Sequence, residues 1–191
     1  MKILGFGFMD DVMNRIGFAF AVVVSLVGVS ACKHGGASAP TPAADDLLPV
    51  GSPAPDFIAT AHDGSKVHLV ELRGHDVVLY FYPKDDTTGC TKEACNFRDA
   101  WSRLQSAGVV VLGVSTQDNI SHTEFAQKYR LPFPLIPDEH GELAAKYHVP
   151  MFVGLTRRVT YLIDKDGRIK HAWPKVNPEK HAEDILAQLG G

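Results

Sequence analysis

Apolar and polar positions divide the chain into an uncharged leading run, a short polar stretch and a long body of alternating patterns. In the body, Phe57–Thr60 and Lys66–Leu72 flank Asp63-Gly64, which predicts a β-hairpin. Val77-Val78-Leu79-Tyr80-Phe81-Tyr82 is a continuous β-branched and aromatic run, the pattern of a strand buried on both faces, and Pro83 closes it. Ala94, Phe97, Trp101 and Leu104 recur at helical steps and stop at Gly108, predicting one helix. Val109–Val114 reads as another buried strand, and Ser121 is expected to cap a helix with Phe125 and Tyr129 on one face. Next come Leu135-Ile136, a short helix around Leu143–Tyr147, and a hairpin of Val159–Ile163 and Ile169–Trp173 across Asp166-Gly167. Pro178 is expected to start a last helix carrying Ile185, Leu186 and Leu189. Strands alternating with helices, then a terminal hairpin, predict an α/β sandwich around a mixed sheet.

The leading run from Ile16 to Ala31 carries no charge and spans 16 residues. A bilayer span needs about 20, so the run fits the apolar core of a secretory signal better. It ends at Val29-Ser30-Ala31-Cys32, which resembles the lipobox of bacterial lipoproteins, whose cysteine is lipidated and becomes the new N-terminus. Asp10 and Asp11 do not suit a positively charged leader, whereas Met13-Asn14-Arg15 does, so Met13 is the expected start. From Lys33 to Ala44 the chain is rich in Gly, Ala, Ser and Pro, a composition that cannot bury enough surface to fold. The expected organisation is a signal peptide over 1–31, a flexible tether over 32–49 and a folded domain over 50–191. The product is expected to be exported and anchored to the cell envelope through lipid on Cys32, facing the periplasm in a Gram-negative cell.

Composition narrows the function. The 191 residues are 45% hydrophobic and 21% charged, suited to a real core, with a net charge of −3. That balance, without basic runs, argues against nucleic acid as a partner. Three cysteines are too few for a disulfide framework. The nine histidines are scattered, without HExxH or a second Cys or His pair at ligand spacing, so neither a metal nor a cofactor is expected.

With Cys32 assigned to lipid, Cys90 and Cys95 remain. Cys90 lies where a buried strand and loop give way to a helix, and a sulfur there faces unpaired amides and the positive helix end, which favours the thiolate. In an intact helix, residues five apart sit ~140° around the axis and ~7.5 Å along it. Their Cα atoms are then beyond the ~7 Å limit for a disulfide. The two sulfurs can bond only if the first turns unwind, which suits a redox cycle better than a staple. A structural bridge in an oxidising compartment and simple buried cysteines stay open at this point.

Pro83-x-x-x-Thr87-x-x-Cys90 resembles the active-site signature of peroxiredoxins, and the second cysteine five residues on resembles the bacterioferritin comigratory protein, or PrxQ-type, subfamily. The resemblance runs from about Val50 to Leu189, through Val114-Ser115, Ser121-His122, Phe133-Pro134-Leu135 and Arg158-Val159-Thr160-Tyr161-Leu162-Ile163-Asp164. It implies a thioredoxin-like fold and a peroxidatic Cys90 that attacks the peroxide O–O bond and becomes a sulfenic acid. It also implies a resolving Cys95 that closes an intramolecular Cys90–Cys95 disulfide, which thioredoxin or a related dithiol protein reduces. Pro83 would shield the sulfenate, Thr87 hold the peroxide, Arg158 present fixed donors to sulfur and oxygen, and Glu93 orient the arginine. Hydrogen peroxide and alkyl hydroperoxides are the implied substrates, and a monomer is expected. The sequence departs from many relatives at Gln117, where aspartate is common, and in a short connection beginning at His148-Val149-Pro150-Met151. Two other classes compete. A thiol–disulfide oxidoreductase acting on proteins would favour Cys-x-x-Cys, and an envelope binding module would use Cys90 and Cys95 as a permanent staple.

Overall fold

The computed structural model describes residues 46–189. The expected signal peptide over 1–31, start at Met13 and lipidated Cys32 lie outside the described residues, as does most of the 32–49 tether. Leu47 is buried in the core, so the packed body begins a little before Val50.

The predicted first hairpin forms from β1 (Ile58–Thr60) and β2 (Lys66–His68), antiparallel, with the Asp63 carboxylate accepting from the Ser65 amide at 2.9 Å. Its second arm is shorter than expected. Leu69–Leu72 winds into a 3₁₀ turn because the Val70 amide is taken by the Asp56 carboxylate at 3.2 Å instead of by a strand partner. Strand β3 (Asp76–Phe81) follows, buried at every position.

The one helix expected across Ala94–Leu104 is two. Helix α1 (Thr88–Asp99) stops at Ala100, whose φ of −88° and ψ of 1° leave the helical region, and α2 (Trp101–Ser106) restarts at once. Phe97 and Leu104, on either side of this bend, are both fully buried in one core cluster. Strand β4 (Val109–Ser115) then runs parallel to β3. Helix α3 (Asn119–Tyr129) is capped by the Asp118 carboxylate, which accepts from the Ser121 amide at 2.8 Å. Ser121, expected to be the cap, is instead a first-turn residue with its hydroxyl free to bond elsewhere.

Strand β5 (Leu135–Pro137) pairs parallel with β4, and α4 (Glu142–Lys146) follows. A small hairpin, β6 (Met151–Phe152) and β7 (Leu155–Thr156), turns through Val153 at φ 49° and Gly154. The sequence reading did not anticipate it, because its strands are two residues long and show no alternation. The expected last hairpin is β8 (Val159–Ile163) and β9 (Ile169–Trp173). Helix α5 (His181–Leu189) begins three residues after Pro178, since residues 178–180 form a turn.

The mixed sheet has the order β5-β4-β3-β8-β9, with β3, β4 and β5 parallel and β8 antiparallel between β3 and β9. The alternation along β3 feeds two cores. Val77, Leu79 and Phe81 pack with Phe57, Leu143 and Tyr147 on one face, while Val78, Tyr80 and Tyr82 pack with Phe97, Phe125 and Ile185 on the other. This is the expected α/β sandwich, and its loop between β3 and α1 carries the signature residues.

Gly113 on β4 sets the clearance on the second face. A Cβ there would lie 2.6 Å from Leu135 Cδ2 and 2.8 Å from the Tyr80 ring. Gly113→Ala is expected to cost ~1–3 kcal/mol through overpacking, read as a lower midpoint in urea or thermal unfolding. A wild-type midpoint would mean that Tyr80 moves aside without cost.

Candidate active site

The loop leaves β3 at Tyr82, whose amide donates to the Val114 carbonyl at 3.0 Å and whose carbonyl accepts the Thr156 hydroxyl at 2.7 Å. Thr87 is the residue before α1, with extended backbone, so Cys90 is the third residue of the helix. Amides in that first turn have no acceptor further up the helix and point outward. Cys90 is buried, with 2% of its surface exposed.

Its sulfur accepts from Arg158 Nη2 at 3.2 Å. The other arm of the same guanidinium, Nη1, is ion-paired to Glu93 Oε2. Glu93 sits one turn after Cys90 and is fully buried. Arg158 comes from the segment immediately before β8, the strand that pairs with β3. Two sequence-distant segments therefore meet at one sulfur. Gly89 makes room for the contact, because a Cβ there would stand 3.3 Å from Arg158 Nη2. The sequence reading passed over Gly89, although a glycine directly before the thiol is the signal that could have found it.

The electrostatics follow from burial. Desolvation pushes the Glu93 carboxyl up to about 7, against the pull of Arg158. For Arg158, burial opposes the charge, but Glu93 and then Cys90 outweigh it and hold the guanidinium above its ordinary value. Burial, followed by Glu93 and Cys90, pushes the Tyr80 phenol far up. Among the described residues, Glu93 Oε1 and the Tyr80 hydroxyl are buried with no protein hydrogen-bond partner, while the Arg158 side chain keeps 18% of its surface exposed.

Cys95 is half-buried on the same helix, and among the described residues both cysteines are free thiols. The continuous helix from Thr88 to Asp99 is the arrangement in which a Cys90–Cys95 bond requires unwinding. Arg98 is held above its ordinary value first by Asp99, against burial, and also by Cys95. The structure thus brings Cys90, Arg158 and Glu93 into direct contact. Thr87 stands at the helix start with its hydroxyl donating to the Lys84 carbonyl at 3.1 Å, and Pro83 is half-buried where the loop begins.

The loop is also fastened by residues that the sequence reading gave no role. The Asp85 carboxylate accepts from the Tyr82 hydroxyl at 2.7 Å and the Ser121 hydroxyl at 2.7 Å, and lies 2.8 Å from His122 Nδ1. The next residue, Asp86, adopts φ 58° and bonds Lys128 Nζ at 2.5 Å and the Tyr129 hydroxyl at 2.6 Å. An aspartate pair in a polar loop reads as solvated charge, so nothing in the local sequence pointed to these bonds. Beside them lies an open hollow of about 390 Å³, with Gln117 and Lys84 in its lining.

Glu93 generates a pH prediction. Its folded-state value is raised from 4.5 to about 7, so the folded protein holds a proton that the unfolded chain has released over that range. Stability from this group is therefore lost as pH rises from 4.5 to about 7. Urea unfolding across that window should show the wild type losing stability relative to Glu93→Gln. Parallel curves for the two proteins would show that Glu93 does not titrate there.

The AhpC/TSA family model matches residues 50–172. A Coxiella burnetii chain named as a peroxiredoxin of the bcp type is 44% identical over 150 residues, which covers 74% of this chain and 99% of that one. Peroxiredoxin Q of Oryza sativa subsp. japonica chloroplasts is 43% identical over 142 residues, 73% of this chain and 65% of the longer plant chain. Among solved structures, Mycobacterium tuberculosis peroxidoxin BcpB superposes with a TM-score of 0.70 at 32% identity, covering 75% of this chain and 97% of its own. A Xanthomonas campestris bacterioferritin comigratory protein, studied for its alkyl peroxide reduction activity, gives 0.66 at 33% identity, covering 70% and 90%. A buried thiol at a helix start and a second thiol on that helix thus lie in a domain that makes up nearly the whole of the Coxiella and Mycobacterium chains, and the chain belongs to the AhpC/TSA family, among its bcp and Q-type peroxiredoxins.

Proposed function

We propose that Cys90 is the attacking sulfur of this thiol peroxidase and Cys95 its resolving partner, with hydrogen peroxide and alkyl hydroperoxides as substrates. The observation that carries the reading is the Arg158 Nη2 contact to Cys90 Sγ at 3.2 Å at the start of a helix that also holds Cys95. The Cys90 thiolate displaces one peroxide oxygen. The O–O bond breaks, and the leaving oxygen departs with a proton as water or an alcohol. Sulfur is oxidised by two electrons to a sulfenic acid. The Cys95 sulfur then displaces the sulfenic oxygen as water, forming the Cys90–Cys95 disulfide. An external dithiol of thioredoxin type returns two electrons and two protons.

Each neighbour has a physical task. Arg158 supplies a fixed, permanent charge to both the sulfur and the approaching oxygens. Donors aimed at a breaking bond in a water-poor site are worth far more than in water. Glu93 fixes the other arm of the guanidinium. Thr87 turns its hydroxyl from the Lys84 carbonyl toward the peroxide, and Pro83 screens the sulfenate from solvent. Both thiols lie on one helix, so the cycle needs no second copy of the chain, in keeping with a monomer.

The proposal also includes an address. The uncharged run before Cys32 and the Gly, Ala, Ser and Pro-rich stretch after it support a lipoprotein signal and a tether, with the peroxidase held at the envelope membrane.

Rapid mixing of the reduced protein with substoichiometric hydrogen peroxide tests the chemistry. Trp101 fluorescence follows the reaction, and mass identifies the product. A fast peroxide-dependent change ending in a Cys90–Cys95 disulfide is expected. Oxidation no faster than a free thiol would point to protein disulfides as substrates, or to a staple. Cys90→Ser should abolish turnover, whereas Cys95→Ser should retain one rapid turnover that stops at the sulfenic acid. Equal residual activity in the two variants would contradict their assigned roles. The address is checked by labelling cells with a radioactive fatty acid. The wild type should take up label, Cys32→Ser should take up none, and a labelled Cys32→Ser would sink the lipid assignment.

A further inference from the structure

Asp85 has no part in the cycle described above, yet its carboxylate is buried and triply bonded: Tyr82 hydroxyl to one oxygen, Ser121 hydroxyl and His122 Nδ1 to the other. His122 is fully buried as well, and its second ring nitrogen, Nε2, faces the Ile136 carbonyl at 3.3 Å. The Tyr82 hydroxyl lies 3.3 Å from Nδ1, and its hydrogen is already committed to Asp85, so it too presents an acceptor to the ring. A neutral imidazole has one N–H and one lone pair, so it can serve only one of these sides. A ring with a proton on each nitrogen serves both.

The neighbouring histidine supports this assignment. His62 Nδ1 accepts the Leu135 amide at 3.1 Å, so that nitrogen carries a lone pair. Burial above all holds His62 below its ordinary value, with Asp63 opposing and His122 adding to the lowering. Of the two rings, His122 is the one that faces a carboxylate, at 2.8 Å from Asp85.

The placement gives the pair its purpose. Asp85 and Asp86 are consecutive, and they grip α3 at opposite ends, Asp85 at Ser121 and His122 in the early turns and Asp86 at Lys128 and Tyr129 in the last. Asp86 is held at φ 58°, a region an L-residue occupies at a cost unless its surroundings fix it. The chain runs from this anchor directly into Thr87 and the first turn of α1.

We propose that Asp85 is a positioning residue for the peroxide reaction: with an imidazolium at His122 it forms a buried ion pair that fastens the Pro83–Thr87 loop to α3 and so aims Thr87 and Cys90. The proposal rests on the reading of Cys90 as the attacking sulfur.

The test combines ring-nitrogen NMR with single-turnover kinetics on reduced full-length protein, using His122→Gln to assign the His122 signals. Both His122 nitrogens are expected to be protonated at neutral pH in the wild type. Asp85→Asn should lose that state and slow sulfenic acid formation at Cys90 by on the order of tenfold or more, the scale on which small misplacements act. The double variant Asp85→Asn/His122→Gln should be no slower than the slower single, because the two residues act as one unit. A neutral ring in the wild type, or a folded Asp85→Asn that oxidises at the wild-type rate, overturns the proposal. Should Asp85→Asn fail to fold, Ser121→Ala removes one bond to the carboxylate and leaves both charges. It should slow oxidation less while keeping the ring doubly protonated, and a wild-type rate there would also overturn the proposal. If Cys90→Ser still turned over peroxide, the assignment of the attacking sulfur would fail, while the ring measurement would stand on its own.

Discussion

A guanidinium partly withdrawn from water needs acceptors where it lies, and those of Arg158 are Cys90 and Glu93, on one turn of α1. Much of the architecture serves to bring these groups together. Antiparallel pairing of β8 on β3, with Val159 opposite Phe81, carries Arg158 to the end of β3 where the loop departs. Parallel pairing of β4 on β3 leaves that loop to lead into α1. Breaking a buried ion pair by removing one partner typically costs ~3–5 kcal/mol. The contact that prepares the sulfur therefore also holds the cysteine helix to the sheet.

The surroundings of this pair are poorly hydrogen-bonded. Each unmet polar group in a dry interior costs ~1–3 kcal/mol. Glu93 Oε1 and the Tyr80 hydroxyl find no protein partner among the described residues, and Gly113 lets Tyr80 approach closely. The Arg158 side chain itself keeps 18% of its surface exposed, so the guanidinium sits at the edge of this buried cluster.

Much of this was legible in the residues. Continuous apolar runs announced β3 and β4, Asp-Gly pairs announced two hairpins, and the placement of Cys90 at a helix start followed from Pro83 ending one pattern and Ala94 continuing another. What escaped reading was decided by contacts between distant segments. The bend at Ala100 is invisible to a periodicity that continues through it. The choice of Asp118 over Ser121 as the α3 cap depends on Ser121 being drawn to Asp85, 36 residues away. Asp85 and Asp86 look like surface charge in a polar loop, and only the approach of α3 gives each its partners. Hairpin β6–β7 is too short to have a period at all.

The same helix must be rigid for one step and undone for the next. Arg158 and Glu93 reward an intact first turn, while a Cys90–Cys95 bond demands its loss. Further along, Asn96 fastens α1 to the start of α5, its amide donating to the Glu179 carbonyl at 3.2 Å and its oxygen accepting the Ala182 amide at 2.8 Å. Arg98 Nη1 donates to the Tyr129 carbonyl at the end of α3, at 2.8 Å. These anchors stand next to Cys95 rather than Cys90, on its C-terminal side. In the proposed cycle, unwinding from the first turn would release Cys90 from Arg158 and strain the Lys92–Glu179 ion pair, while the Asn96 and Arg98 anchors would keep Cys95 in place. Loss of the Arg158 contact at Cys90 would remove one of the bonds that favour the intact helix, beside the Glu93 pair.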